Sequence, residues 1–160
     1  MGVTGTGKSS VGKHLAASLE LPYIEGDDFH DPASIEKMRK GIGLTAADRG
    51  PWIDRLHHEL VRHGSSGAVL ACSALTEEIR RQLSADLPTV RYVFLRGDER
   101  VLRSRLEARK GHYAGADLLT SQLETLEAPE HAIEVDVSGT PDSAAATALA
   151  GLQGERPPAG

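Results

Sequence analysis

The sequence has a single cysteine, Cys72, in 160 residues, so no disulfide can form within it, and a reducing compartment is expected. Aromatic residues are scarce at 4%, which leaves Leu, Val, Ile and Ala to build the core. There is no excess of positive charge: the net charge is -5, which argues against nucleic-acid binding by an overall positive field. An anionic substrate must therefore be met by local arginines and lysines. No apolar run approaches the ~20 residues of a membrane span. The N-terminus also lacks the basic and apolar regions of a signal peptide. The expectation is a cytoplasmic protein with no membrane or nucleic-acid partner.

What is present suits one globular domain. Hydrophobic residues make up 39% and charged residues 26%, ordinary values for such a chain. Residues 1–152 are expected to form the domain, and the Pro- and Gly-rich residues 153–160 a disordered tail. Short apolar segments at 22–25, 68–72, 90–95 and 133–137 read as strands. The continuous apolar run at 68–72 is the pattern of a parallel strand buried on both faces. Helical spacing marks the stretches between them. Val11, Leu15, Ala16 and Leu19 share one face, and Ile53, Leu56, Leu60 and Val61 another, with Thr45 and Asp48 forming a capping box before it. Further helices are expected at 75–83, 99–109, 118–126 and 143–152. Alternating strands and helices with a parallel signature give a three-layer α/β/α sandwich.

The strongest motif is Gly2-Val3-Thr4-Gly5-Thr6-Gly7-Lys8-Ser9, which fits the phosphate-loop pattern G-x-x-x-x-G-K-[ST]. Glycines let the backbone curl so that successive N–H groups face a polyphosphate. The helix that follows adds the positive end of its dipole. Gly2, Thr4, Gly5, Thr6, Gly7, Lys8, Ser9 and Ser10 are the candidate nucleotide-binding residues. Lys8 is expected at the β- and γ-phosphates of ATP, and the Ser9 hydroxyl on Mg²⁺. A phosphate loop normally follows an apolar strand, and here Met1 stands directly before Gly2. The expectation is a sheet short of a central strand, with more apolar residues upstream in the natural protein.

The acceptor of the phosphate is read from the next strand's end, where Tyr23-Ile24-Glu25-Gly26-Asp27-Asp28-Phe29-His30 stands. If the extended conformation continues, Glu25 and Asp27 point to the same side. At the C-terminal edge of a parallel sheet, one carboxylate can take the proton of an attacking hydroxyl while another orders Mg²⁺. A solvated acidic turn is the competing reading. No Asn-Lys-x-Asp segment occurs, which disfavours a guanine-nucleotide switch.

Several segments together resemble the gluconate kinase (gluconokinase) family of P-loop small-molecule kinases. They are Gly26-Asp27-Asp28-Phe29-His30, Ile35-Glu36-Lys37-Met38, Asp48-Arg49-Gly50-Pro51-Trp52 and Cys72-Ser73-Ala74-Leu75. Arg105-Leu106, Arg109-Lys110-Gly111-His112-Tyr113 and Gln122-Leu123-Glu124-Thr125-Leu126-Glu127 follow in the same order. The resemblance implies a nucleoside-monophosphate-kinase-like fold, commonly a homodimer, that transfers phosphate from Mg²⁺-ATP to D-gluconate. A kinase of another small hydroxy acid, such as shikimate, and a non-catalytic nucleotide-binding module or inactive fragment are the alternatives.

Carried over residue by residue, the resemblance makes Lys8, Asp27, Arg105 and Arg109 the catalytic candidates, with Asp27 as the base. Asp27, His30, Arg49, Arg80, Lys110 and His112 become candidates for the acceptor pocket, and Ser9 for the metal, to which the strand alternation adds Glu25. Residues 109–117 correspond to a lid, with Gly111 and Gly115 permitting closure. Chemistry supports parts of this. Arg49 or Arg80 suits a bidentate grip on a carboxylate. Arg105 and Arg109, four apart, share a helix face and suit a phosphoryl group, or else form a solvated basic face. Trp52 is either a wall of the pocket or a buried helix anchor, and His30 either a hydroxyl partner or a structural cap. Cys72 reads as core. The chain departs from the family pattern where Asp31 precedes Pro32, where Ser34 replaces an Asn, and at Thr76, Glu77 and Ile79.

Overall fold

A computed structural model describes residues 1–108 and 114–154. Four short strands alternate with seven α-helices among these residues. They are α1 (Lys8–Leu19), β1 (Tyr23–Glu25), α2 (Pro32–Arg39), α3 (Ala46–His63), β2 (Val69–Ala71), α4 (Glu77–Ser84), β3 (Val93–Arg96), α5 (Glu99–Ala108), α6 (Ala114–Thr125), β4 (Ile133–Asp136) and α7 (Pro141–Gly154). The α/β alternation is as expected. The strands at 22–25, 68–72, 90–95 and 133–137 all exist, trimmed to three or four residues each.

All pairing is parallel. Tyr23 lies opposite Val69 and Glu25 opposite Ala71, while Val93 faces Ile133 and Arg96 faces Asp136. The two pairs, β1–β2 and β3–β4, are not hydrogen-bonded to each other. Between β2 and β3 lies a cavity of about 410 Å³ whose lining includes Leu70, Val93, Leu95, Val11 and Leu15. Met1 and Gly2 are the link across it. The Met1 ammonium donates to the Val93 carbonyl at 2.6 Å, Leu95 N–H donates to the Met1 carbonyl at 2.9 Å, and Gly2 N–H donates to the Ser73 carbonyl at 3.3 Å. Among the described residues no strand lies between β2 and β3.

Each strand pair has its own apolar cluster. Leu95, Leu102, Leu106, Leu119, Val135 and Ala148 gather around β3–β4, with Val11 and Leu15 of α1. Ile24, Trp52, Ile53, Leu56, Ile79 and Leu83 gather around β1–β2. Leu56 is fully buried, so truncation to Ala would cost about 2–5 kcal/mol. Val61, expected on the same helix face, is instead exposed, being five residues from Leu56 and so turned off the apolar stripe. Cys72 is a core residue, and burial pushes its thiol up to about 11.

Local chemistry sets the helix starts. The Thr45 hydroxyl accepts the Asp48 N–H at 3.2 Å and Asp48 Oδ2 accepts the Thr45 N–H at 2.9 Å, the reciprocal capping box expected before α3. α2 was not anticipated as a helix. Its cap is Asp31, whose Oδ1 accepts the Ser34 N–H at 2.8 Å, and Pro32 supplies the preset first turn. α7 runs to Gly154, two residues into the stretch expected to be tail. Arg109, Lys110, Gly111 and His112 of the expected lid, and residues 155–160, lie outside the described residues.

Candidate active site

Val3 to Gly7 form a tight loop that ends at the N-terminus of α1. Gly7, the cap residue, has φ 85°, a left-handed conformation that favours glycine. The Thr6 hydroxyl donates to the Val3 carbonyl at 2.8 Å and is buried, which closes the loop on itself. Lys8 Nζ also donates to the Val3 carbonyl, at 3.0 Å, so the ammonium is folded back over the loop. Ser9 and Ser10 are exposed on the first turn of α1.

The strand β1 ends at Glu25, and the alternation expected to align Glu25 with Asp27 does not continue. Gly26–Phe29 is a 3₁₀ turn. Gly26 permits it: a Cβ there would stand 2.8 Å from the Ala71 carbonyl oxygen and 2.7 Å from Cys72 Cβ. Glu25 Oε2 accepts the Tyr23 hydroxyl at 2.7 Å, and the same phenol hydrogen-bonds Ser9. The two residues expected at the metal are thereby bridged by one phenol. Burial, then the Glu25 contact, raises the Tyr23 phenol above its usual range. Asp27 is exposed and lines a second pocket that Glu25 does not.

That pocket, about 110 Å³, begins at the phosphate loop with Thr4 and Lys8. Asp27, His30, Arg49 and Trp52 line it from the 3₁₀ turn and α3, and Met38, Gly43 and Leu44 from α2 and the loop after it. Ser73, Ala74 and Leu75 line it beyond β2, Ile79 from α4, and Leu118, Ser121, Gln122 and Thr125 from α6. Arg49 and Trp52 are three apart and so share a face of α3. Trp52 unites the two readings left open. It is 4% exposed, and its Nε1–H donates to the Gly26 carbonyl at 2.8 Å, yet it also lines the pocket. His30 stacks on it with ring centroids 4.8 Å apart and planes 5° from parallel. The His30 Nδ1 is buried without a hydrogen-bond partner among the described residues. Burial lowers the His30 pKa from its ordinary value, against the opposing pull of Asp27 and Asp31, and so favours the neutral ring.

The Arg49 guanidinium makes no hydrogen bond or ion pair among the described residues. Its neighbour Asp48 holds the helix in place: both carboxylate oxygens accept from Lys37 Nζ, at 2.7 and 2.9 Å. That contact, with the Thr45 bonds, holds the Asp48 carboxyl at about 2.

Two arginines expected at the site are elsewhere. Arg80 is 2% exposed and does not line the pocket. Its Nε and Nη2 grip Glu77 Oε2 at 3.0 and 2.9 Å, and its Nη1 donates to the carbonyls of Ala74 at 3.1 Å and Glu127 at 2.9 Å. Four of the five guanidinium N–H groups tie α4 to the Ser73–Ala74 segment and to the end of α6. Arg105 donates from Nη2 to the Gly139 carbonyl at 3.0 Å, at the loop before α7, rather than meeting the phosphate loop. Gln122 is the site residue that the spacing argument missed: its Oε1 accepts the Thr4 N–H at 2.6 Å. Leu118, Ser121, Gln122 and Thr125 recur at i, i+3, i+4 and i+7, so a half-polar helical stripe was the signal available.

The departures from the family pattern make contacts of their own. Asp31 and Ser34 cap α2, the Thr76 hydroxyl accepts the Ile79 N–H at 3.3 Å at the start of α4, and Glu77 takes Arg80.

Comparison with known proteins bears on the fold and the family. The shikimate kinase family model matches residues 4–138. A gluconokinase of Gluconobacter oxydans is 45% identical over 148 residues, covering 89% of this chain and 83% of its own. The chain belongs to the gluconokinase family. The thermosensitive gluconokinase of Escherichia coli is 39% identical over 133 residues, covering 81% of this chain and 71% of its own. The crystal structure of a gluconokinase from Sinorhizobium meliloti superposes with a TM-score of 0.87 at 42% identity, over 96% of this chain and 89% of that one. The chain is thus a P-loop kinase that moves phosphate from a nucleotide to an alcohol. Among the described residues, no helix is long and apolar enough to cross a membrane.

Proposed function

We propose that the protein transfers the γ-phosphoryl group of Mg²⁺-ATP to the terminal hydroxyl of D-gluconate, giving 6-phospho-D-gluconate. The observation that carries the reading is one pocket in which the phosphate loop, through Thr4 and Lys8, meets an exposed carboxylate, Asp27, and an unengaged guanidinium, Arg49. The named activity of the relatives supports the choice of acceptor.

The residues divide the work. Backbone N–H groups of the loop and the α1 N-terminus receive the polyphosphate, and Lys8 leaves the Val3 carbonyl to meet its β- and γ-oxygens. The metal's donor set is all oxygen, from the Ser9 hydroxyl and Glu25, held to each other through Tyr23. Few protein ligands plus phosphates is the pattern Mg²⁺ favours. Bound there, Mg²⁺ would neutralise charge on the phosphates. Asp27 orients the acceptor hydroxyl and takes its proton as the oxygen forms its bond to phosphorus and the bond to the bridging oxygen of ADP breaks. Arg49 pairs with the gluconate carboxylate. The unpartnered His30 Nδ1 and the Trp52 face receive the polyol chain. Lid groups Arg109 and Lys110 supply further cations and His112 a further hydrogen-bonding group, and Arg105 joins them only by leaving Gly139. The homodimer implied by the resemblance and a cytoplasmic setting, where Mg²⁺-ATP is abundant, complete the proposal.

A coupled assay with ATP across gluconate, glucose and shikimate tests it. Gluconate is expected to exceed glucose in kcat/KM by orders of magnitude, because Arg49 without its carboxylate is an unpaired charge. Equal use of glucose and gluconate would overturn the clamp, and preference for shikimate would overturn the acceptor.

A further inference from the structure

We propose that Gln122 is a specificity-determining residue whose Nε2 amide group donates a hydrogen bond to a hydroxyl oxygen of the acceptor. The inference rests on the acceptor pocket described above, but not on which hydroxy acid fills it.

A primary carboxamide has one acceptor oxygen and an NH₂ with two donors, and the two ends look alike until a partner distinguishes them. Here the partner does so. The Thr4 backbone N–H can only donate, and it stands 2.6 Å from the Gln122 oxygen. The amide is therefore locked with Oε1 on the phosphate loop and Nε2 turned from it. No described residue accepts from that Nε2, although Gln122 is half-buried and lines the acceptor pocket. An NH₂ group of fixed orientation at the wall of such a pocket lacks only an oxygen.

The backbone behind Gln122 is rigidly held, which makes the donor a discriminating one. The Glu127 N–H donates to the Leu75 carbonyl at 2.9 Å, and Arg80 grips the Glu127 carbonyl. The end of α6 is thus fixed to the segment that forms another wall of the pocket. On the other side Thr4 belongs to the phosphate loop itself, beside Lys8. The Gln122 contact therefore sets the distance between the acceptor and the loop that holds the phosphate. A polyol offers the oxygen this donor needs, and an acceptor lacking a hydroxyl at that point would leave the amide unsatisfied.

Two variants of the full chain separate the donor from the contact to Thr4. Gln122→Glu keeps an oxygen for the Thr4 N–H and removes the NH₂. Gln122→Met keeps length without charge and removes both. Acceptor KM is expected to rise about ten-fold or more in each, with ATP KM within about two-fold in Gln122→Glu and raised in Gln122→Met. The decisive readout uses acceptor analogues that each lack one hydroxyl. Wild type is expected to discriminate against one of them, and Gln122→Met to lose that discrimination selectively. Unchanged acceptor KM in both variants overturns the proposal, as does an equal loss on every analogue, the mark of a merely structural role. The series is run on whichever hydroxy acid the wild type uses best. Failure of gluconate as acceptor is then read from the wild type, and failure of the Gln122 donor from the variants.

Discussion

The two sides of the acceptor pocket treat their polar groups in opposite ways. On the side built by the 3₁₀ turn and α3, Asp27 is exposed, and among the described residues the Arg49 guanidinium has no partner and the buried His30 Nδ1 is unpaired. On the side built by α4 and α6, Arg80 makes four hydrogen bonds and Glu127 takes part through backbone and side chain alike. The first side leaves chemistry open to a ligand, and the second fixes the frame in which that chemistry works. Arginine serves both ends, and only its neighbours decide which. Glu77 stands three residues before Arg80 and holds two of its nitrogens, whereas the acid next to Arg49 is already taken by Lys37.

The contrast is sharpest at Asp27. Asp27→Asn keeps shape and removes basicity, so kcat should fall by about 10²–10⁴-fold. Thermal stability and ATP KM should hardly move. Loss of ATP affinity with kcat retained would make Asp27 a binding residue and return the base to Glu25 or Asp28.

The paired substitutions Arg49→Ala and Arg80→Ala divide the two sides directly. Arg80→Ala leaves the Ala74 and Glu127 carbonyls without their donor and should cost about 2–4 kcal/mol of stability, read by denaturant unfolding. Arg49→Ala should leave unfolding unchanged and raise the KM for gluconate steeply. If both variants act on KM alone, Arg80 reaches the ligand after all and the two sides are not distinct.

The smallest effect concerns acid. Asp48 is held down to about 2 by Lys37 first and by Thr45 second. A depressed carboxylate contributes stability that is present above its unfolded value of 3.8 and is lost as pH falls towards about 2. The wild type should lose more stability than Asp48→Asn between those values. Parallel acid-unfolding curves would show that the Lys37–Asp48 pair contributes nothing measurable.

The phosphate loop was legible because its chemistry is written in backbone requirements. Glycines at fixed spacing before Lys8 leave few other conformations. The capping box of α3 was legible for the same reason, being local. Asp27 was reached by an argument whose geometry fails after Glu25, since the close approach of Gly26 to the backbone at Ala71 and Cys72 is a tertiary fact that no strand period reveals. Arg80 and Arg105 were placed on charge and position, and the structure engages each with other partners. Whether an arginine faces a ligand depends on which carbonyls and carboxylates lie within reach, and those of Glu127 and Gly139 are distant in sequence. Gln122 sat in a segment already singled out, yet an amide shows its role only when its partner, the Thr4 N–H, is seen.

Trp52 is the chain's one tryptophan. Stacked on His30 and hydrogen-bonded to Gly26, it places the molecule's whole indole emission at the wall of the acceptor pocket. An imidazolium quenches such emission far more than a neutral imidazole, so the fluorescence of the native protein reads the charge of His30. Anything that enters the pocket and engages that ring announces itself optically, with no label attached.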